Sequence, residues 1–369
     1  MISKLISSRS AYATYLVSQR QYYIDYQFAG RGITPKSINP NLQIGIYCHA
    51  VCGGVMSGKS EDSQQAEQTE IWNELASTRG FDSLHPPEML LALAQGLSSA
   101  WIRTRFKEIE KSYEILAVEK PRLLSIQDSE FELLVPTRLD AELRSLNSDK
   151  NYHALEIKTT SSKRYFDKYK YDIQPLQHLW AIEDAYGQGS CHSILMEFLY
   201  KGYGNMQTGG TWYSPFVRGY VKIGVEPYDS TQYSTNGKKY GNRKDWNDFD
   251  VWQRFTQDEW YAKAGKVLDA QILNMSVVRD RRDLPVYQHQ MFHAHKRIAE
   301  GLQKLEDATS ENEKAEILGI FFPLAYHMFD HHLINFSPEQ ALDSGDYIFR
   351  EPHHELEKEF LAKKSFNTL

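Results

Sequence analysis

Around residue 113 the hydrophobic pattern of this 369-residue chain changes period, and the change decides which architectures are open to it. Before that point apolar and aromatic residues recur at helical spacing: Tyr12, Tyr15, Leu16, Tyr22, Tyr23 and Tyr26 can share a buried stripe, and residues 71–75 and 87–109 repeat the pattern. After it, residues 113–118, 131–144 and 152–159 are β-rich, with Asp128-Ser129 and Asn147-Ser148-Asp149 as turn formers between them. Three such runs predict a β-meander. Helical spacing returns at 173–186, and a short apolar strand is predicted at 193–200. The Gly-, Tyr- and Trp-rich stretch 201–247 reads as long loops with one strand at 217–225, and the chain beyond Phe249 as mostly helical with a charged break at 279–283. We therefore expect a core over residues 1–230 with N-terminal helices, and a mostly helical C-terminal extension over 231–369.

Bulk properties bound the function. Hydrophobic residues at 41% and charged residues at 24% suit a folded domain and leave no long disordered tract. A net charge of -6 excludes a global basic field, so any contact with nucleic acid has to be local. Cys48, Cys52 and Cys191 cannot all pair, and the N-terminus lacks a signal-peptide layout. No apolar run has the length of a membrane span. The expectation is a cytoplasmic protein with no membrane partner.

The meander carries the chemistry. In the run from Arg138 to Arg144, alternation puts Leu139, Ala141 and Leu143 on one face and Asp140 on the other. Leu155-Glu156-Ile157-Lys158 likewise places Glu156 beside Lys158. If the two strands form a hairpin, Asp140 and Glu156 converge, and two hard carboxylates suit Mg²⁺, which prefers oxygen and keeps waters. Such an ion activates water and neutralises charge on an attacked phosphate. Lys158, read as an exposed strand lysine, would orient that water and stabilise the developing charge. Its removal should then alter folding by well under about 1 kcal/mol. The same residues also fit the solvated face of an ordinary antiparallel sheet.

The surroundings favour the chemical reading. Tyr22-Tyr23-Ile24-Asp25-Tyr26 is followed by Gly45-Ile46-Tyr47-Cys48-His49, then by Glu119 at a strand end, by Pro136-Thr137-Arg138-Leu139-Asp140, by Leu155-Glu156-Ile157-Lys158-Thr159-Thr160, and by Ile173-Gln174-Pro175-Leu176-Gln177. In this order, over residues 5–200, the set resembles the RecB-type PD-(D/E)xK nucleases. The resemblance implies an α/β fold: a restriction-endonuclease-like core whose mixed central sheet is flanked by helices, plus the helical extension. It implies a Mg²⁺-dependent deoxyribonuclease, most simply an exonuclease, with Mn²⁺ as a substitute and DNA as partner beside helicase or recombination proteins. His49 would join Asp140 and Glu156 as a metal ligand, and Glu119 would sit near the metal or its water. Gln177, preferred over the alternative Gln174, would hydrogen-bond Lys158 or a phosphate. The family's Gln-x-x-x-Tyr pattern is not kept at Gln177, where position 181 is Ala. Some relatives hold an iron-sulfur cluster with four cysteines; here Ser18-Gln19-Arg20 stands at the first position and no Cys follows Cys191, so no cluster is expected.

Other signals compete. Gly53-Gly54-Val55-Met56-Ser57-Gly58-Lys59-Ser60 fits the phosphate-loop pattern of nucleotide hydrolases, which requires a buried strand before it and a sheet-packed helix after it. Glu61-Asp62-Ser63-Gln64-Gln65 is too polar and acidic for that helix. A non-hydrolytic DNA-binding module is a further alternative, against which the intact carboxylate and lysine positions count. Lys163, Arg164, Lys168 and Lys170, interleaved with Tyr165, Phe166, Tyr169 and Tyr171, can hold phosphates and stack on unpaired bases. Histidines 289, 293 and 295, and 327, 331 and 332, have helical zinc spacing but no second ligand cluster.

Overall fold

The computed structural model describes residues 2–81, 87–148, 150–160, 166–201, 220–222, 252–254, 272–324 and 337–351. The chain runs β1 (Lys4–Ile6), α1 (Arg9–Val17), α2 (Gln19–Tyr22), β2 (Ile33–Pro35), α3 (Pro40–Met56), α4 (Glu61–Thr78), α5 (Pro87–Trp101) and α6 (Lys107–Ser112). Then follow β3 (Tyr113–Val118), β4 (Pro121–Gln127), β5 (Glu132–Arg138), β6 (Ala141–Ser145), β7 (Tyr152–Thr160), α7 (Phe166–Tyr169), α8 (Gln174–Tyr186) and β8 (Cys191–Tyr200). The remaining elements are β9 (Tyr220–Lys222), β10 (Trp252–Arg254), β11 (Ile272–Val277), α9 (Asp283–Asp307), α10 (Glu311–Phe321), α11 (Pro338–Asp343) and β12 (Tyr347–Phe349).

The fold is α/β, with mixed sheets flanked by helices. The central sheet has the order β11-β8-β7-β6-β3. β3, β6 and β7 are antiparallel neighbours, β8 lies parallel to β7, and β11 closes the far edge antiparallel. A parallel neighbour needs a crossover, and α8 supplies it by packing on both β7 and β8. β8 is buried on both faces along most of its length, which explains its nearly continuous apolar run.

The predicted meander is therefore present with an insertion. Residues 131–144, expected as one run, divide at Leu139-Asp140: β5 pairs with β1 and β4 in a separate three-stranded sheet, while β6 stays in the central one. Leu133, Val135 and Leu139 enter the core between the sheets and α8, whereas Ala141 and Leu143 enter the core beneath α3 and α5. All five are odd-numbered, so the alternation runs unbroken through a point at which the chain changes layers. Alternation reports which residues are buried, not against what.

The N-terminal helix also divides. Ser18 is extended (φ -150°, ψ 111°), ends α1, and caps α2 by accepting from the Gln21 N–H. Tyr12, Tyr15 and Tyr22 are buried as expected, whereas Leu16 is exposed because the turn takes it off the stripe. α3 starts where Asn39 accepts from the Asn41 and Leu42 N–H groups and Pro40 takes a first-turn position whose N–H would have had no partner. It lays Ile44, Cys48, Val51 and Cys52 on Leu155 and Ile157 of β7. Within the predicted C-terminal extension α9, α10 and α11 are helical, β11 joins the central sheet and β12 pairs with β2. Among the described residues no helix is long and apolar enough to cross a membrane.

Candidate functional site

Asp140 occupies the junction where the chain leaves the outer sheet for the central one. Its Oδ2 accepts from the Ile157 N–H at 2.6 Å, and its Oδ1 lies 3.0 Å from His49 Nδ1. The strand hydrogen bond fixes one oxygen, so the other is aimed at α3. Burial alone would raise the Asp140 pKa, but the charge and hydrogen bond of His49, then Lys158 and the Ile157 N–H, outweigh it and hold the carboxyl below its ordinary value. The same pair acts on His49, where burial favours the neutral ring, yet Asp140 and Glu156 bring the net shift upward.

Glu156 projects from β7 toward α8. Its carboxylate pairs with Lys158, accepts from Gln174 Nε2 at 2.5 Å, and lies 3.3 Å from His178 Nε2. The Lys158 side chain is only 20% exposed, which corrects the expectation of an exposed lysine: α8 and the aromatic α7 cover this face of β7. Burial lowers the Lys158 pKa, but Glu156 and Asp140 overcome it and leave the ammonium held charged. At His178, by contrast, burial wins and the ring is shifted toward neutrality.

Glu119 closes the site from the β3–β4 turn. Its φ of 46° is left-handed, uncommon for a residue with a side chain, and its N–H donates to the Asp140 carbonyl at 3.1 Å. Its carboxylate lies 3.6 Å from Arg138 and against Gly53, where an added Cβ would stand 3.3 Å from Oε1. Gly53 is one turn beyond His49, so the missing side chain gives Glu119 its place beside the His49 helix.

A cleft of about 230 Å³ opens over Asp140 and Glu156, lined also by Arg9, Thr137 and Arg138 and by Gln174, Gln177 and His178 of α8. Among the described residues no three His, Cys, Asp or Glu side chains are gathered closely enough to hold a metal ion. His49 meets Asp140, while Glu156 faces lysine, glutamine and histidine.

The structure thus brings together His49, Asp140, Glu156, Lys158 and Glu119. The contact expected of Gln177 is not made. Its Nε2 donates to Thr137 Oγ1 at 2.5 Å and its Oε1 accepts from Tyr287 at 3.1 Å, which tie α8 to β5 and α9. Gln174, one turn earlier, is the residue that reaches Glu156. The sequence held a signal for it: Gln174 and His178 stand four apart, the spacing of Gln-x-x-x-Tyr with an imidazole in the aromatic position. Lys168 lies on α7, Lys170 pairs with Asp167 at 2.8 Å, and Lys163 and Arg164 lie outside the described residues.

The glycine-rich segment has no phosphate-loop geometry. Gly53 and Gly54 are inside α3, with Gly54 against Gln64 of α4, so an α-helix rather than a strand precedes Lys59. Backbone N–H groups of residues 57 to 59 are spent on carbonyls of residues 53 to 55, and Ser60 caps α4. Lys59 extends to within 3.9 Å of Glu67. Cys48, Cys52 and Cys191 are buried free thiols, with burial pushing Cys48 and Cys191 up to about 12. His289 and His293 are exposed with rings 4.1 Å apart, whereas His295 is buried with Nδ1 on the Met291 carbonyl. His327, His331 and His332 lie outside the described residues.

No protein-family model matches the chain, and no curated protein matches it significantly.

Proposed function

We propose that this protein is a metal-dependent nuclease of the PD-(D/E)xK type that hydrolyses phosphodiester bonds in DNA, acting as an exonuclease. The observation that carries the reading is the linkage of His49, Asp140, Glu156 and Lys158, from three separate segments, by hydrogen bond and ion pair at the junction of the two sheets, where Asp140 and Glu156 line an open cleft. The order helix, three antiparallel strands, helix, parallel strand in the central sheet supports a restriction-endonuclease-like core. A solvated polar sheet face has no reason to bury Glu156 to 5% exposure and surround it with a lysine, an amide and an imidazole.

The donor types suit Mg²⁺ or Mn²⁺, two carboxylates and one imidazole that would have to draw together around the ion, with the buried Gln174 Oε1 lacking a hydrogen-bond partner among the described residues. Asp140, Glu156 and His49 would hold the ion. When bound, it supplies Lewis acidity and an activated water. The chain does the rest. The Ile157 N–H keeps Asp140 ionised and aimed. Gln174 and His178 orient Glu156. Lys158 presents a fixed positive charge to the attacked phosphate in a site where water screens it little, and Glu119 adds an acceptor for a proton or water at the rim. Lys168 and Lys170 contribute local attraction for the backbone.

Asp140→Asn and Glu156→Gln test the reading. Each should reduce Mg²⁺-dependent cleavage of labelled DNA by about 100-fold or more while thermal unfolding stays cooperative. Parental cleavage rates in both variants would refute it.

A further inference from the structure

The cleft has two chemically different sets of lining residues. Asp140 and Glu156 make the acidic set. Arg9 and Arg138 make the basic one, with Ser10 beside Arg9 in sequence. Arg9 is the first residue of α1, and its nearest carboxylate, Asp172, is 3.9 Å away; Arg138 lies 3.6 Å from Glu119. Among the described residues neither guanidinium has a close bidentate partner, and bidentate pairing is how arginine binds an anion strongly. Ser8 caps α1 by accepting from the Ala11 and Tyr12 N–H groups, and Arg9 and Ser10, whose first-turn N–H groups have no intrahelical acceptor, line the cleft. Those groups and the helix dipole favour an anion. Arg9 also acts on Lys158 and His178, which places its charge within reach of the carboxylate centre.

Size restricts what enters. At about 230 Å³ the cleft is smaller than the roughly 300–1,000 Å³ that encloses a drug-sized ligand, so it accepts a backbone phosphate and leaves the base outside. Next to it lies a suitable surface. Phe166 and Tyr169 of the aromatic run pack on Phe198, whereas Tyr171 is 82% exposed. The backbone holding Tyr171 is fixed on both sides: Arg279 donates to the Lys170 and Asp172 carbonyls, and the Asp172 side chain accepts from the Gln174 N–H while facing Arg9. Tyr171 is thus a ring presented from a pinned segment at the Arg9 side of the cleft.

We infer that Arg9, with the first turn of α1, holds a phosphate next to the scissile one, and that Tyr171 stacks on an adjacent unpaired base, so that the substrate is a single strand. This rests on the nuclease reading and adds its strand path. Stacking on one face needs a base free of its partner, which a duplex does not offer.

The test is fluorescence anisotropy of a labelled single-stranded oligodeoxynucleotide and its matched duplex on the full chain, in EDTA over a salt series, with Mg²⁺-dependent cleavage measured in parallel. The parent should bind the single strand at least about tenfold more tightly than the duplex. Arg9→Gln should weaken that binding about tenfold and reduce the slope of log Kd against log salt by about 0.7, with Arg9→Lys keeping the slope. Tyr171→Ala, at a position too exposed to affect folding, should weaken it about tenfold, and Tyr171→Phe should restore it. Asp172→Asn, which keeps both the guanidinium and the ring, should bind within about twofold of the parent. If the parent binds and cuts DNA while Arg9→Gln and Tyr171→Ala bind as it does, or if duplex binds equally well, the strand path is wrong and the nuclease reading stands. A parent that neither binds nor cuts DNA overturns both.

Discussion

Replacing Lys158 by Met separates its electrostatic role from its length. The ammonium is paired with a carboxylate that is only 5% exposed, and breaking a buried pair from one side costs about 3–5 kcal/mol when the remaining charge has no other partner. Glu156 has others. Gln174 Nε2 stays at 2.5 Å, and His178 at 3.3 Å can take up a proton and replace the lost charge. A hydrogen bond to a charged group is worth about 1.5–3 kcal/mol, so the net destabilisation of Lys158→Met should be about 1–3 kcal/mol, not the fraction of a kcal/mol of an exposed lysine. Removing Glu156's charge as well should relieve most of it: the Glu156→Gln, Lys158→Met double variant should lie within about 1 kcal/mol of Glu156→Gln alone. Cleavage should fall by about 100-fold or more, or about 2.7 kcal/mol of barrier. Denaturant unfolding of the four proteins and single-turnover cleavage provide the numbers. A Lys158→Met protein as stable as the parent and cutting at its rate would show that the ammonium neither balances Glu156 nor acts on the phosphate.

Other expectations follow from the same contacts. Gln174→Ala, which removes the hydrogen bond to Glu156, should lower cleavage at least tenfold and cost about 1.5–3 kcal/mol of stability, whereas Gln177→Ala, which breaks buried hydrogen bonds to Thr137 and Tyr287, should cost about 1–3 kcal/mol and leave cleavage within about threefold; thermal melts and rates on both variants decide, and equal losses of cleavage would refute the division. Burial lowers His295 from 6.5 to about 4, so its contribution is fully present above pH 6.5 and is lost as pH falls toward 4, by about 3 kcal/mol in all; His295→Leu should flatten the stability profile across that window, and an unchanged acid slope would contradict this. An added Cβ at Gly301 would stand 2.7 Å from Phe321 Cβ where α9 meets α10, so Gly301→Ala should destabilise by about 1–2 kcal/mol despite its better helix propensity, and a stabilised variant would show that the helices can separate freely. Lys59→Ala should leave cleavage unchanged and stability within about 0.5 kcal/mol; loss of cleavage together with ATP binding would restore the phosphate-loop reading.

Where local pattern and tertiary contact agree, the fold was legible. The alternation of β7 and the helical spacing of 173–186 gave elements within a residue or so of those observed, because each buries one face against one core. The split of residues 131–144 was not legible, since alternation is blind to a change of core at Asp140. Nor was the helical state of Gly53 and Gly54: glycine usually ends helices, but here it admits Glu119 and Gln64 against α3. At the site, residue types and order pointed to His49, Asp140, Glu156 and Lys158, and the structure brings them together. The choice between Gln174 and Gln177 turned on which face of α8 meets β7, and the burial of Lys158 on what covers its strand; both are set by helices distant in sequence.

The central claim is tested most directly by incubating the full chain with end-labelled linear single-stranded and double-stranded DNA and with circular DNA, in Mg²⁺, in Mn²⁺ and in EDTA, and following products with time. The account predicts mononucleotides or short fragments from linear DNA in either metal, none in EDTA, and slower loss of circular DNA. Intact DNA in both metals, from a preparation whose unfolding is cooperative, would contradict it.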